Sequence, residues 1–384
     1  MSALNRQLKR PNSEWMKIFC GLPVVVTLVF AVAALAGKPT PTPTPTPTPP
    51  PPGKIIYYAN INSLMTFFSI NSDGSAKTPY PTNVNGVPSR QLHGNHRWFL
   101  EARPLPGQTY FDGRQRYELF AVRDDANKSF TVQLTNDISL ELAIYEAFAI
   151  GIFPGAIWAP GDVHVSWVAT RVVQTTGEAV ESGIYSAAIV FDPNNNVIGL
   201  TSMPIDPVVP IALVVRTPGE RPVPDIVPAQ FDWAPDMARA VYENTNPEGH
   251  AVFVYTINPA SLQQIALGEH PSWSPKNTRI ALNNSSGVVT VNPDGSDPLV
   301  ISDNGDTKKN RGGYPTWGIG CYDPFFSPTG DFVVYRRIEP KDRRYPTINL
   351  MFQIYRCTET GGNQTDLTTD DTNNYNYQLM GWSQ

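Results

Sequence analysis

Pro271-Ser272-Trp273-Ser274-Pro275-Lys276-Asn277-Thr278-Arg279-Ile280-Ala281 (PSWSPKNTRIA) is the stretch from which the chain is read. An aromatic, a small residue, a proline and a polar turn lead into an alternating apolar run. The proline fixes φ and withholds an N–H, the polar residues favour a turn, and the period of two that follows marks a strand. The phrase recurs as WAPGD at Trp158–Asp162, WAPDM at Trp233–Met237 and FSPTG at Phe326–Gly330. It returns truncated at Gly381-Trp382-Ser383-Gln384, and worn at Leu92–Leu100 (LHGNHRWFL).

Between these marks lies a repeated strand and turn. Lys54–Ile61 and Met65–Ile70 read as strands before the turn Asn71-Ser72-Asp73-Gly74. Related units are Tyr117–Arg123, Ile184–Phe191 before Asp192-Pro193-Asn194-Asn195, Ala251–Ile257, Val288–Val291 before Asn292-Pro293-Asp294-Gly295, and Phe352–Cys357. Leu-Thr follows at Leu134-Thr135, Leu200-Thr201 and Leu367-Thr368. Four short antiparallel strands per unit make one propeller blade. The worn mark at Leu92 and the aromatic marks at Trp158, Trp233, Trp273, Phe326 and Trp382 count six blades, spaced by 66, 75, 40, 53 and 56 residues. The expected fold is therefore an all-β, six-bladed β-propeller preceded by one N-terminal hydrophobic helix. Its first strands lie mid-unit and its last residues open a unit. The N- and C-terminal strands are thus expected to share a blade and remove free edges, with Tyr377–Trp382 buried and ordered.

The unit resembles the repeat of the TolB-type β-propellers, whose phrase runs P-x-W-S-P-D-G-x-x-I-A-F, then I-Y-x-x-x-x-D-G, then L-T. Pro271–Pro275 matches best. Ala159 and Ala234 replace the serine, and Phe326 the tryptophan. The resemblance covers 54–384. It implies a propeller, but not one activity, because the family includes scaffolds, binding proteins and non-catalytic parts of enzymes. Aromatics that match the period of the repeat read as packing between blades.

The chain has 384 residues, with 41% hydrophobic and 16% charged, which suits a packed β protein. Its net charge of −5 divides into +3 over Met1–Lys17 and −8 over the rest. An acidic main domain argues against a nucleic-acid partner. After the basic segment 1–17, residues 18–37 (IFCGLPVVVTLVFAVAALAG) form an uncharged apolar run long enough to span a bilayer. The basic flank orients the N-terminus inward and the remainder outward. Two readings stay open: an uncleaved transmembrane anchor, or a signal peptide cleaved near Ala36. Cys20 precedes the middle of the run and does not read as a lipidation site. Residues 38–53 are a Thr/Pro-rich spacer expected to be extended. Cys321 and Cys357 are read as a disulfide pair on grounds of compartment, with two unrelated buried thiols as the alternative.

Binding residues are sought where the repeat is broken. The apolar insert Asp137–Gly155 supplies Ile138, Tyr145 and Phe153, with buried strands or a short helix as its structural readings. The Pro-rich insert Met203–Gln230 supplies Val209 and Arg216, with Ile211–Val215 its most strand-like part. Two polar loops supply Tyr314 and Trp317, and Arg343 and Tyr345. His93-x-x-His96 has a spacing compatible with a metal but lacks a carboxylate or cysteine cluster. No G-x-S-x-G or G-x-x-x-x-G-K motif is present, so no catalytic residue and no cofactor is assigned. The expectation is a non-catalytic, extracytoplasmic, monomeric propeller that binds an envelope protein, peptide or glycan. The alternative is a glycan lyase or hydrolase, which clustering of His93, His96 and His164 with acids would favour.

Overall fold

The computed structural model describes residues 53–61, 64–79, 98–123, 130–147, 151–215, 221–225, 230–246, 249–303, 320–340, 350–368 and 377–383. The apolar segment 18–37, the spacer up to Pro52 and the repeat mark at Leu92 lie outside them.

Six sheets make six blades. Blade 1 contains β1 (Lys54–Ile61), β2 (Leu64–Asn71) and β3 (Thr78–Pro79). Blade 2 contains β4 (Trp98–Thr109), β5 (Gln115–Arg123) and β6 (Thr131–Gln133). The connection to blade 3 carries β7 (Leu140–Leu142), β8 (Ile144–Ala147) and β9 (Gly151–Pro154). Blade 3 follows as β10 (Ala156–Trp158), β11 (His164–Val172), β12 (Ala179–Phe191) and β13 (Val197–Leu200), with β14 (Val209–Pro210) added to it. A separate ribbon pairs β15 (Leu213–Val214) with β16 (Val223–Pro224). Blade 4 is β17 (Phe231–Trp233), β18 (Arg239–Asn246), β19 (Gly249–Thr256) and β20 (Ser261–Leu267). Blade 5 is β21 (Glu269–Trp273), β22 (Ile280–Asn284), β23 (Gly287–Val291) and β24 (Leu299–Asp303). Blade 6 is β25 (Gly320–Phe326), β26 (Phe332–Pro340), β27 (Leu350–Thr358) and β28 (Thr365–Asp366). The last strand, β29 (Tyr377–Ser383), pairs antiparallel with β1 and completes blade 1 in the order β29-β1-β2-β3. The expected closure is present in the backbone. Side chains of β29 lie outside the described residues.

The repeated phrase is a turn with one geometry. In four blades the residue after the aromatic donates its N–H across the turn: Ala159 to His164 O, Ala234 to Arg239 O, Ser274 to Arg279 O and Ser327 to Phe332 O, at 2.8–2.9 Å. The fourth turn position after the aromatic takes a left-handed φ at Met237 (53°), Asn277 (60°) and Gly330 (71°). The aromatics themselves are buried in or beside the cores between blades: Trp158 in the blade 2–3 cluster, Trp233 in the 3–4 cluster, Trp273 in the 4–5 cluster and Phe326 in the 5–6 cluster. A further cluster of Ile55, Tyr57, Phe325 and Val334 joins blade 6 to blade 1. Each blade thus hides its faces against its neighbours, as a repeat must.

Polar contacts reinforce the ring. Asp232 Oδ2 accepts the N–H of Trp273 in the next blade (2.8 Å), and Ser272 Oγ accepts that of Phe326 (3.4 Å). The Leu-Thr phrase is also explained: Thr135 Oγ1 accepts the Leu119 N–H at 2.8 Å, and Thr368 Oγ1 that of Ile354 at 3.1 Å. Buried Glu118 accepts from Thr135 and Arg116. Burial pushes its carboxyl up, against the pull of those donors.

Both inserts in blade 3 interrupt a strand and then resume it. β7 and β10 lie end to end along β11, and the β8–β9 hairpin leaves between them. The excursion is pinched where Gly155 N–H donates to Ala143 O (2.9 Å). Leu140 and Leu142 enter the blade 2–3 core, so part of the apolar insert is core. β13 and β14 likewise lie along β12. A Cβ at Gly183 would stand 2.3 Å from Val209 O and 2.4 Å from Pro207 Cβ, so the returning backbone requires glycine there.

Two expectations are corrected. Val209, read as a binding residue, is fully buried on β14 against Ile184 and Phe231. The strand resumes there, and its apolar side chain is needed in the core. Cys321 and Cys357 are not bonded to each other. They sit on β25 and β27 with β26 between them. Two strand spacings, about 9.5 Å, exceed the reach of a disulfide. Cys321 Sγ instead contacts Ser302 Oγ at 3.2 Å, and burial pushes the Cys357 thiol up to about 12.

Candidate functional site

In an antiparallel blade the start of the inner strand and the turn joining the second and third strands share one end of the ring. At that mouth, blades 4, 5 and 6 bring together Glu243 and His250 from β18 and β19, Glu269 and His270 from β21, Asn283 from β22, Asp323 from β25 and Arg336 from β26.

His270 and Asp323 are equivalent in the repeat. Each precedes the proline of its inner strand, Pro271 or Pro324, and each lies at a register shift against the second strand. Their φ angles are 54° and 53°. Among the described residues the other non-glycine positive-φ positions, Ala76, Asn195, Met237, Asn277, Asp297 and Asn363, lie in hairpin turns. These two are held left-handed inside strands, at a cost of about 1–2 kcal/mol each. The bulge turns both side chains toward each other across the blade boundary.

The resulting network is continuous. His270 Nε2 lies 3.2 Å from Asp323 Oδ1, and Arg336 Nη2 lies 3.0 Å from Asp323 Oδ2. The Arg336 guanidinium also stands 5.5 Å over the Tyr322 ring. The His270 N–H donates to Glu243 Oε2 at 2.9 Å, while Glu243 Oε1 lies 2.5 Å from His250 Nδ1. Glu269 Oε2 is 3.7 Å from His270 Nδ1, and Asn283 Nδ2 reaches it at 3.5 Å. Glu243 is 2% exposed and forms the floor; His250, at 45%, forms the rim. Three carboxylates, one guanidinium and two imidazoles from three blades meet here. Such a site can hold a charged ligand, and His270, oriented by Asp323, can exchange a proton with one.

The residues singled out from sequence are dispersed. Ile138 is 44% exposed ahead of β7. Tyr145 and Phe153 are directly opposite each other in the β8–β9 hairpin. Arg216, Tyr314, Trp317, Arg343, Tyr345, His93 and His96 lie outside the described residues. His164 begins β11, at the opposite end of the ring from His270, so it joins no cluster with the mouth acids. Among the described residues no three His, Cys, Asp or Glu side chains are grouped to hold a metal ion. The mouth network went unread because its members are spread over 93 residues of sequence, from Glu243 to Arg336. One signal was present: a titratable residue before proline in two consecutive repeats.

A second polar group, Asp112, Arg114, Glu141 and Arg221, ties the Pro-rich insert to blade 2. Arg114 bonds Asp112 at 2.6 Å and Glu141 at 2.7 Å, and Arg221 bonds Glu141. Each charge has a partner within the group, and it reads as a clamp.

No family model matches the chain, and no curated protein sequence matches it. Among solved structures, it is similar to a protein assigned as TolB from Agrobacterium tumefaciens, at 15% identity over 82% of this chain and 88% of that one, with a TM-score of 0.40. It is similar to a chain of a nidogen/laminin complex at 7% identity over 86% and 98%, TM-score 0.45. An oligogalacturonate lyase in complex with manganese matches at 13% identity over 78% and 71%, TM-score 0.40. By its own sheet order and closing strand, the chain is a six-bladed β-propeller.

Proposed function

We propose that this propeller is a binding module that takes a protein or peptide ligand at the mouth formed by blades 4–6. It is held outside the cytoplasm by the apolar segment 18–37 and set off from the membrane by the Thr/Pro spacer. The observation that carries this reading is the pair His270 and Asp323, held left-handed within strands and joined across a blade boundary. Strain inside a regular element points to function, because packing alone would select a relaxed backbone. The outward-facing location rests on the charge and length of the N-terminal segments.

A photo-crosslinking amino acid at His250, on the rim, tests the reading in the producing cell with the full chain. A discrete protein adduct that disappears with His270→Ala is expected. Absence of any adduct, or one indifferent to His270, would sink it. One observation favours a second reading. The His270 Nε2–Asp323 Oδ1 contact of 3.2 Å orients an imidazole as a general base or acid would be oriented. Turnover of a glycan by the wild type and not by His270→Ala would establish that alternative.

A further inference from the structure

We propose that the mouth recognises its ligand through a primary ammonium, supplied by a lysine side chain or by the N-terminus of a peptide. This rests on the reading of the mouth as the binding site. Hydrogen-bonding capacity there is unbalanced. Among the described residues, Glu243, Glu269 and Asp323 bring three carboxylates against one permanent cation, Arg336, which is engaged by Asp323. Both oxygens of Glu243 are occupied, by His250 and by the His270 N–H. Glu269 differs. It is 37% exposed, and its contacts are a 3.7 Å approach from His270 and a 3.5 Å one from Asn283, at or beyond the limit of a good hydrogen bond.

Asn283 stands directly opposite Glu269 in the β21–β22 ladder. Its residue is 4% exposed, and its Oδ1 has no hydrogen-bond partner among the described residues. Exchanging the amide's N and O would set an oxygen against the Glu269 carboxylate, so the orientation is the favourable one. A buried acceptor without a donor is costly, and one that adjoins an accessible, weakly bonded carboxylate points to a ligand that brings donors.

An ammonium has three donors and no acceptor on one compact centre. Paired side chains across a ladder begin about 5 Å apart, so one tetrahedral nitrogen can bridge the Glu269 carboxylate and Asn283 Oδ1. A guanidinium needs a wider, coplanar set of acceptors. An anionic ligand would be repelled by the weakly bonded Glu269 carboxylate.

Calorimetric titration of the full chain at low ionic strength tests this with four amidated peptides. N-acetyl tetralysine carries side-chain ammonium groups only, and tetraalanine an α-ammonium only. N-acetyl tetraalanine and N-acetyl tetraglutamate carry none. Binding of the first or second, and of neither control, is expected, and the responding peptide identifies the source of the ammonium. Glu269→Gln should weaken it at least tenfold, and Glu269→Lys should abolish it. Glu178→Gln, on an exposed hairpin tip, should leave it unchanged. Equal responses to all four peptides, no response to either ammonium peptide, or binding indifferent to Glu269→Gln overturns the proposal. The His250 crosslink is an independent readout. If it persists while the ammonium peptides fail, the mouth remains the site and only the ligand class falls; if both fail, the site itself falls.

Discussion

Removing residues 377–384 should unfold the domain rather than trim a tail. β29 is the inner strand of blade 1 and meets β1 in six residue pairs, from Lys54–Ser383 to Ala59–Tyr377. At ~1 kcal/mol net for each backbone hydrogen bond, the lost ladder is worth about 6 kcal/mol, against a whole stability of about 5–15 kcal/mol. The loss is larger in effect than this figure, because β29 also contacts β25, β26 and β27 of blade 6. Its removal opens the ring and bares the edge of β1, which invites intermolecular pairing. Urea unfolding followed by tryptophan fluorescence, with light scattering on the same samples, reads both effects. The truncated chain should lose its native transition or show a midpoint lowered by more than half, and it should associate. A transition coincident with that of the intact chain, from a monomeric species, would refute the closure argument.

Gly183→Ala should destabilise by about 1–3 kcal/mol, as overpacking does. The new Cβ falls 2.3 Å from a backbone oxygen that belongs to the resumed outer strand, so a lowered urea midpoint without change in slope is the expected result. Asp232→Ala leaves the buried Trp273 N–H without its acceptor, which should cost about 1–3 kcal/mol; a double-mutant cycle with Ser272→Ala, whose hydroxyl lies 3.4 Å from the same carboxylate, should show coupling. Stability should also fall in acid. The Asp73, Asp192 and Asp294 carboxyls are held below the usual aspartate range chiefly by hydrogen bonds from Ser75, Asn196 and Ser296, and Asp331 by one from Lys276. A lowered folded-state pKa gives stability that is present above about pH 4, the unfolded value, and is lost as pH falls through the folded one. Glu118, whose carboxyl is raised, acts in the opposite sense. Replacing Asp73, Asp192 and Asp294 together with asparagine should flatten the decline measured by thermal melting between pH 2 and 4.

Most of the blade plan was legible because it depends on short-range chemistry. Trp/Phe-Ser/Ala-Pro and the turn after it select the same hydrogen bond in four blades, and each strand alternates against a neighbour. The closing pair was legible as well: Lys54–Ile61 reads as a strand inside a unit and Trp382 as a unit's opening mark, and β29 pairs with β1. The β8–β9 excursion was harder, because Asp137–Gly155 is a continuous apolar run, and such a run does not reveal where a strand pauses and resumes. Val209 was misread for the same reason. The disulfide expectation failed because compartment says nothing about which strand lies between two cysteines.

The sequence by itself determined the number of blades, their order and the role of the aromatics, since a repeat records its own period and each aromatic must bury where its period places it. Tertiary structure alone decided the mouth network proposed as the binding face. Glu243, His270, Asp323 and Arg336 come from three blades and are neighbours only because the ring brings the starts of inner strands to one mouth. The left-handed bulge at His270 and Asp323 then turns their side chains into contact. No spacing along the chain encodes that meeting, because it depends on how whole sheets pack.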